Sequence, residues 1–133
     1  MTKVKSFSHI TTRHVKFLLT LLAITSIASA DDLGPIKINT QLNILTNAKD
    51  MTAYVFDKDT PGVSNCNGAC ATEWPPILAP EGELKAPLSV VVRKDQSRQV
   101  AYKNRPLYLY VEDSAPGEIS GDGYSSVWHV ARP

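Results

Sequence analysis

Tyr54-Val55-Phe56-Asp57-Lys58-Asp59 and Tyr108-Leu109-Tyr110-Val111-Glu112-Asp113 carry one pattern: a tyrosine, a second aromatic two residues on, and an aspartate five residues on. The likeness extends outward. Trp74 follows Tyr54 by twenty residues, and Trp128 follows Tyr108 by twenty. Upstream, Lys49-Asp50 corresponds to Lys103-Asn104. All these pairs share an offset of 54 residues, and both tryptophans of the chain fall in register. The chain therefore reads as two copies of one supersecondary unit, near residues 47–76 and 101–130, burying equivalent aromatic faces against each other. Two copies predict a closed pseudo-twofold domain, because a solenoid usually needs three or more repeats.

The segments around the motifs read as strands. Leu42–Thr46 and Thr52–Phe56 flank the turn Asn47–Asp50. Leu88–Val92 is β-branched, and Gln99–Tyr102, Leu107–Val111 and Val127–Val130 follow, with the polar stretch Arg93–Arg98 and the turn Lys103–Pro106 between them. Short strands separated by turn signals predict an all-β class. The expectation is a small single domain of two pseudo-equivalent β halves, with a short helix or loop near Asn65–Glu73 carrying the cysteine pair. That helix must end by Trp74, since Pro75 disfavours the helical conformation in the residue before it.

Residues 1–30 have the three parts of an export signal: basic Lys3, Lys5, Arg13 and Lys16, the apolar run Phe17–Ile27, and Ala28-Ser29-Ala30 before the cut. Residues 31–40 then form an N-terminal extension, and 41–133 the repeat domain. Cleavage removes two of the three histidines and leaves ten basic and thirteen acidic residues, a formal net charge of −3. A mildly acidic domain without a basic run lacks the clustered cations that nucleic-acid binding needs. The expected location is periplasmic or secreted. No stable membrane anchor is expected, because the apolar run is short for a span.

The motif residues resemble a known family, the bacterial secreted repeat of unknown function, also described as predicted lipoproteins with a Y-x-[FWY]-x-x-D motif. The resemblance rests on Tyr54, Phe56 and Asp59, on Tyr108, Tyr110 and Asp113, and on Ser64–Pro76 with its Cys66, Cys70 and Trp74. It extends to Gln99–Tyr102, Arg105–Tyr108, Gly121-Asp122-Gly123 and Trp128-His129-Val130. It implies little about mechanism, although some members have been connected with electron transport outside the cytoplasm. No cysteine lies near the expected cut, so this chain departs from the lipoprotein description.

Cys66 and Cys70 read as a structural disulfide in an oxidising compartment, with a redox-active dithiol as the alternative. The equivalent positions in the second copy are Ser120 and Tyr124, so any thiol chemistry belongs to one half. His129 is a possible ligand, for haem iron or copper, but no second nitrogen ligand accompanies it in the mature chain. No metal site and no catalytic set is assigned. Asp59 and Asp113 are expected to accept backbone hydrogen bonds in the turn that ends each tyrosine strand. Each Tyr/aromatic pair is expected to pack on the tryptophan of its own copy. The functional expectation is a non-catalytic binding or structural module with an unknown protein or small-molecule partner. The alternative is a redox or electron-transfer accessory using Cys66/Cys70 or a cofactor near His129.

Overall fold

The computed structural model describes residues 3–5 and 32–133; the export-signal reading falls almost wholly outside them. Among the described residues seven strands form: β1 (Ile36–Asn39), β2 (Ile44–Asn47), β3 (Tyr54–Phe56), β4 (Leu88–Val92), β5 (Arg98–Tyr102), β6 (Arg105–Pro106) and β7 (Trp128–Val130). One short helix, α1 (Ala69–Glu73), carries Cys70, and the 3-10 turn Tyr124–Ser126 stands at the equivalent place in the second copy. All strand pairs are antiparallel: β1 with β2, β3 with β7, and β5 with both β4 and β6. The domain is all-β in two halves, and the Cys66–Cys70 disulfide sits at the short helix.

Two local expectations differ from what the chain does. Ile36–Asn39, assigned above to an extension, forms β1 and registers Ile36 against Asn47; Ile36 is fully buried. Leu107–Val111 does not form a strand beyond single bridges. Its backbone is instead shared among three segments: Leu107 N–H donates to Val100, Tyr108 N–H to Tyr54 and Leu109 N–H to Pro75, at 2.9, 3.0 and 2.7 Å. Val111 N–H donates to Glu73 at 3.2 Å, so no single partner runs alongside.

The copies are related by reciprocal strand exchange. In one half, Leu45 N–H donates to Ala131 O, Ala131 N–H to Ala53 O, and Ala53 N–H to Leu45 O, at 2.8, 2.8 and 2.9 Å. In the other, Val100 donates to Ile77, Ile77 to Leu107, and Leu107 to Val100, at 2.8, 3.0 and 2.9 Å. Each triangle takes one corner from the end of the other copy: Ala131 joins the first copy, and Ile77 joins the second. Between the triangles, Tyr54 and Tyr108 exchange both backbone hydrogen bonds, at 2.8 and 3.0 Å, and mark the pseudo-twofold axis.

Strand alternation then sorts the core. Val55 points into an aliphatic cluster with Ile36, Leu45, Ile77, Val100 and Leu107. Tyr54 and Phe56 point the other way, into an aromatic cluster with Trp74, Tyr108, Tyr110 and Trp128.

Candidate functional site

The motif residues meet at the pseudo-twofold axis. Trp74 and Trp128 stack face to face with centroids 4.0 Å apart and planes 4° apart. Phe56 stacks on the far face of this pair against Trp128 at 4.3 Å, and Tyr110 against Trp74 at 4.1 Å. The result is a column Phe56–Trp128–Trp74–Tyr110. Tyr54 meets Trp74 edge-on at 5.4 Å, and Tyr108 meets Trp128 edge-on at 5.1 Å. Such geometries suit the ring quadrupole. Each tyrosine thus packs on its own copy's tryptophan, but Phe56 and Tyr110 stack on the other copy's. Gly121 faces the column, and a Cβ there would lie 2.6 Å from the Trp74 ring.

The carboxylates are exchanged too. Tyr54 donates its hydroxyl to Asp113 Oδ2 at 2.5 Å, and Tyr108 donates to Asp59 Oδ2 at 2.8 Å. Each tyrosine uses the aspartate of the other copy. The second carboxylate oxygen accepts a backbone N–H from further along: Asn65 for Asp59 at 2.7 Å, and Ser120 for Asp113 at 3.0 Å. The turn after each strand is closed instead by the aspartate's own N–H, to Phe56 O at 3.0 Å and to Tyr110 O at 3.2 Å.

Burial raises the pKa of both phenols, with the nearby carboxylates adding to the effect. Tyr108 is pushed up to about 12, and Tyr54 is raised still further. Their neutral forms therefore contribute stability that is complete below the ordinary tyrosine value of 10.0 and is lost as pH rises through about 12. An alkaline titration followed at 295 nm and by circular dichroism should show these two tyrosines ionising only as the fold is lost. Ionisation of all five tyrosines with the dichroism unchanged would contradict this placement.

In one half the pair continues into the interior. Arg93 is buried; its Nη1 donates to Ser64 Oγ at 2.7 Å and to Gln99 Oε1 at 2.8 Å, and its Nη2 to Cys66 O at 2.6 Å. Ser64 Oγ lies 2.7 Å from the Tyr108 hydroxyl. Because the tyrosine proton goes to Asp59, the serine donates to Tyr108, so the guanidinium charge is linked to a carboxylate through two hydroxyls. The residue pattern held a signal for this: Arg93 lies two residues after buried Val91, on the inward side of the β4 path. Cys66 is also buried, and it is bridged to Cys70.

His129 lies on β7 opposite Val55 and turns away from Trp128. Its Nε2 is 2.7 Å from Asp57 Oδ2, and Arg105 Nη2 is 3.7 Å from Asp57 Oδ1. This cluster borders a cleft of about 290 Å³ formed by the end of β3, the Thr60-Pro61 loop and the β5–β6 turn Lys103-Asn104. Burial raises the Asp59 carboxyl at its inner end above the ordinary range, against the pull of its hydrogen bonds.

The duplication supplies a second copy of this cleft, about 200 Å³ in volume. Phe56 and Asp59 in the first correspond to Tyr110 and Asp113 in the second. The remaining chemistry is not repeated: Asp57, Arg105 and His129 correspond to Val111, Met51 and Pro75. The second copy carries no acid, guanidinium or imidazole at those three places.

The sequence model of the secreted repeat of unknown function matches residues 43–78 and 89–132. The chain belongs to that family. The two matched segments contain the two motif copies, and each ends near the segment that crosses to the other half: residues 74–77 in the first and β7 with Ala131 in the second. No curated protein and no solved structure matches the chain. Among the described residues no helix is long and apolar enough to cross a membrane, and no group of three or more His, Cys, Asp or Glu side chains is placed to hold a metal ion.

Reading the residues in order singled out His129 as a possible ligand but assigned no site role to Asp57, Arg105, Arg93 or Ser64. The available signal for the first two was a difference between copies rather than a likeness.

Proposed function

We propose that this chain is a non-catalytic binding module of the periplasm, and that its ligand site is the charged cleft lined by Asp57 and Arg105, with His129 bonded to Asp57 beside it. The carrying observation is the pair of equivalent clefts. The second motif aromatic and the motif aspartate recur in both, as Phe56 and Asp59 and as Tyr110 and Asp113, whereas Asp57 and Arg105 line only the first. Binding is favoured over catalysis because the reactive groups near the axis are already engaged: the tyrosine hydroxyls donate to carboxylates, and the cysteines are bridged. The cleft is concave, mixes apolar walls with a few convergent polar groups, and lies between elements of both copies, as small-molecule sites do.

Amide chemical-shift mapping of the purified protein against the small-molecule fraction of a periplasmic extract tests the proposal. Shifts should concentrate at Asp57, Thr60, Arg105 and His129. Shifts concentrated at Met51 and Val111, no shifts, or consumption of the ligand would each overturn the reading.

A further inference from the structure

Resting on that reading, we infer that the charged cleft takes a small organic monocarboxylate, with Arg105 as the principal anchor and Lys103 beside it.

The donors point to an anion. Arg105 has Asp57 at 3.7 Å, which is charge pairing beyond hydrogen-bond distance, and its side chain is more than half exposed. Its planar fork of N–H groups matches a carboxylate's two oxygens. Lys103 has no carboxylate within ion-pair distance among the described residues; its ammonium lies 5.1 Å from the Tyr102 ring centroid. Asp57 Oδ2 is engaged by His129 at 2.7 Å, and its Oδ1 faces Arg105 at 3.7 Å.

The surroundings limit the anion's charge and shape. Lys103 and Arg105 are offset by Asp57 and Asp59, so the wall is not strongly positive. A dianion would gain two cations while facing two carboxylates; a monoanion needs only the one fork. Pro61 is exposed at the cleft and the buried Val55, Phe56 and Pro106 back it, which leaves a small apolar surface for a short hydrocarbon body.

The anchor is held in place before binding. Lys103 and Asn104 form a two-residue turn with φ of 47° and 64°, between residues paired in the β5–β6 ladder. Asn104 O accepts the Gly62 N–H at 2.9 Å, tying this turn to the opposite wall. Such fixing lowers the ordering cost of binding a small ligand.

Met51 stands at the repeat position of Arg105, and Arg105 is exposed, so Arg105→Met removes the fork without opening a cavity in the core. The test titrates the full chain with butyrate, butyramide, n-butylammonium and inorganic phosphate, following amide shifts at Thr60 and Arg105. Butyrate should bind at least tenfold more tightly than the other three. Arg105→Met should weaken butyrate at least tenfold, while Met51→Leu in the other cleft leaves it unchanged.

Tighter binding of phosphate, of the amide or of the ammonium would overturn the monocarboxylate assignment. So would butyrate binding that Arg105→Met does not weaken. If no probe binds but the extract still shifts the cleft residues, the ligand class is wrong and the binding-module reading stands. If neither shifts them, both fall.

Discussion

Trp74→Ala is expected to cost about 3–5 kcal/mol of folding stability, the usual range for removing a buried large aromatic. Trp74 is 1% exposed and stands in the middle of the column, stacked between Trp128 and Tyr110 with the Tyr54 edge against it. Its neighbours are held from elsewhere. Tyr54 is fixed by its backbone pairing with Tyr108 and by Asp113, and Trp128 lies in β7. The cavity therefore closes little, which places the loss towards the upper end. A domain of this size has roughly 5–15 kcal/mol in total, so much of the margin would be gone. Denaturant unfolding followed by near-ultraviolet circular dichroism measures the loss, and Trp128→Ala should match it because the column is pseudo-symmetric. Tyr124→Ala is the control: Tyr124 touches the same tryptophan edge-on at 5.6 Å but is 42% exposed. Its loss should stay below about 1 kcal/mol. Equal losses at Trp74 and Tyr124 would mean that the column does not carry the stability assigned to it.

That contrast explains which parts of the fold were legible in the residues. β4 is readable because Leu88–Val92 is a β-branched run whose one neighbour, β5, follows in the chain. The offset of 54 locates the column, since Trp74 and Trp128 have no other aromatic surface so large to cover. β1 is harder to read: Gly34 and Pro35 separate it from the upstream residues, and its four residues look like a leader to the motif. The Leu107–Val111 segment misleads because its alternation is real but its partners are split among separate segments. Only part of Asn65–Glu73 is helical, because Gly68 has φ of 58° and Asn65 N–H is held by Asp59.

The exchange between copies could not be read at all, for a reason that belongs to duplication itself. Two identical motifs leave the pairing within a copy and the pairing across copies with the same residue pattern. Local sequence favours the first; chain geometry selects the second. The candidate site was hidden in the opposite way. Asp57, Arg105 and His129 are far apart in the chain, and each stands where the other copy has an unrelated residue.

The exchanged tyrosine–aspartate pairs give the second large effect and a direct measure of that selection. Tyr54→Phe leaves a buried oxygen of Asp113 without its donor, and Asp113→Ala removes the acceptor of Tyr54 as well as that of Ser120 N–H. Hydrogen bonds to charged groups contribute about 1.5–3 kcal/mol, and an orphaned buried partner costs more. Each single variant should therefore lose about 2–3 kcal/mol. The double variant should lose much less than the sum, with a coupling near 1.5–3 kcal/mol. Tyr108 and Asp59 should behave alike, with a further loss where Ser64 and Arg93 depend on the Tyr108 hydroxyl. The pairs adjacent in sequence are the deciding comparison. Tyr54 with Asp59, and Tyr108 with Asp113, share no hydrogen bond and should be additive to within about 0.5 kcal/mol. Urea unfolding of the four single and four double variants gives all the couplings in one scale. A coupling between Tyr54 and Asp59 as large as that between Tyr54 and Asp113 would mean that the copies close upon themselves. Coupling confined to the crossed pairs makes the repeated aspartate a link between halves, which is why one copy cannot satisfy its own tyrosine.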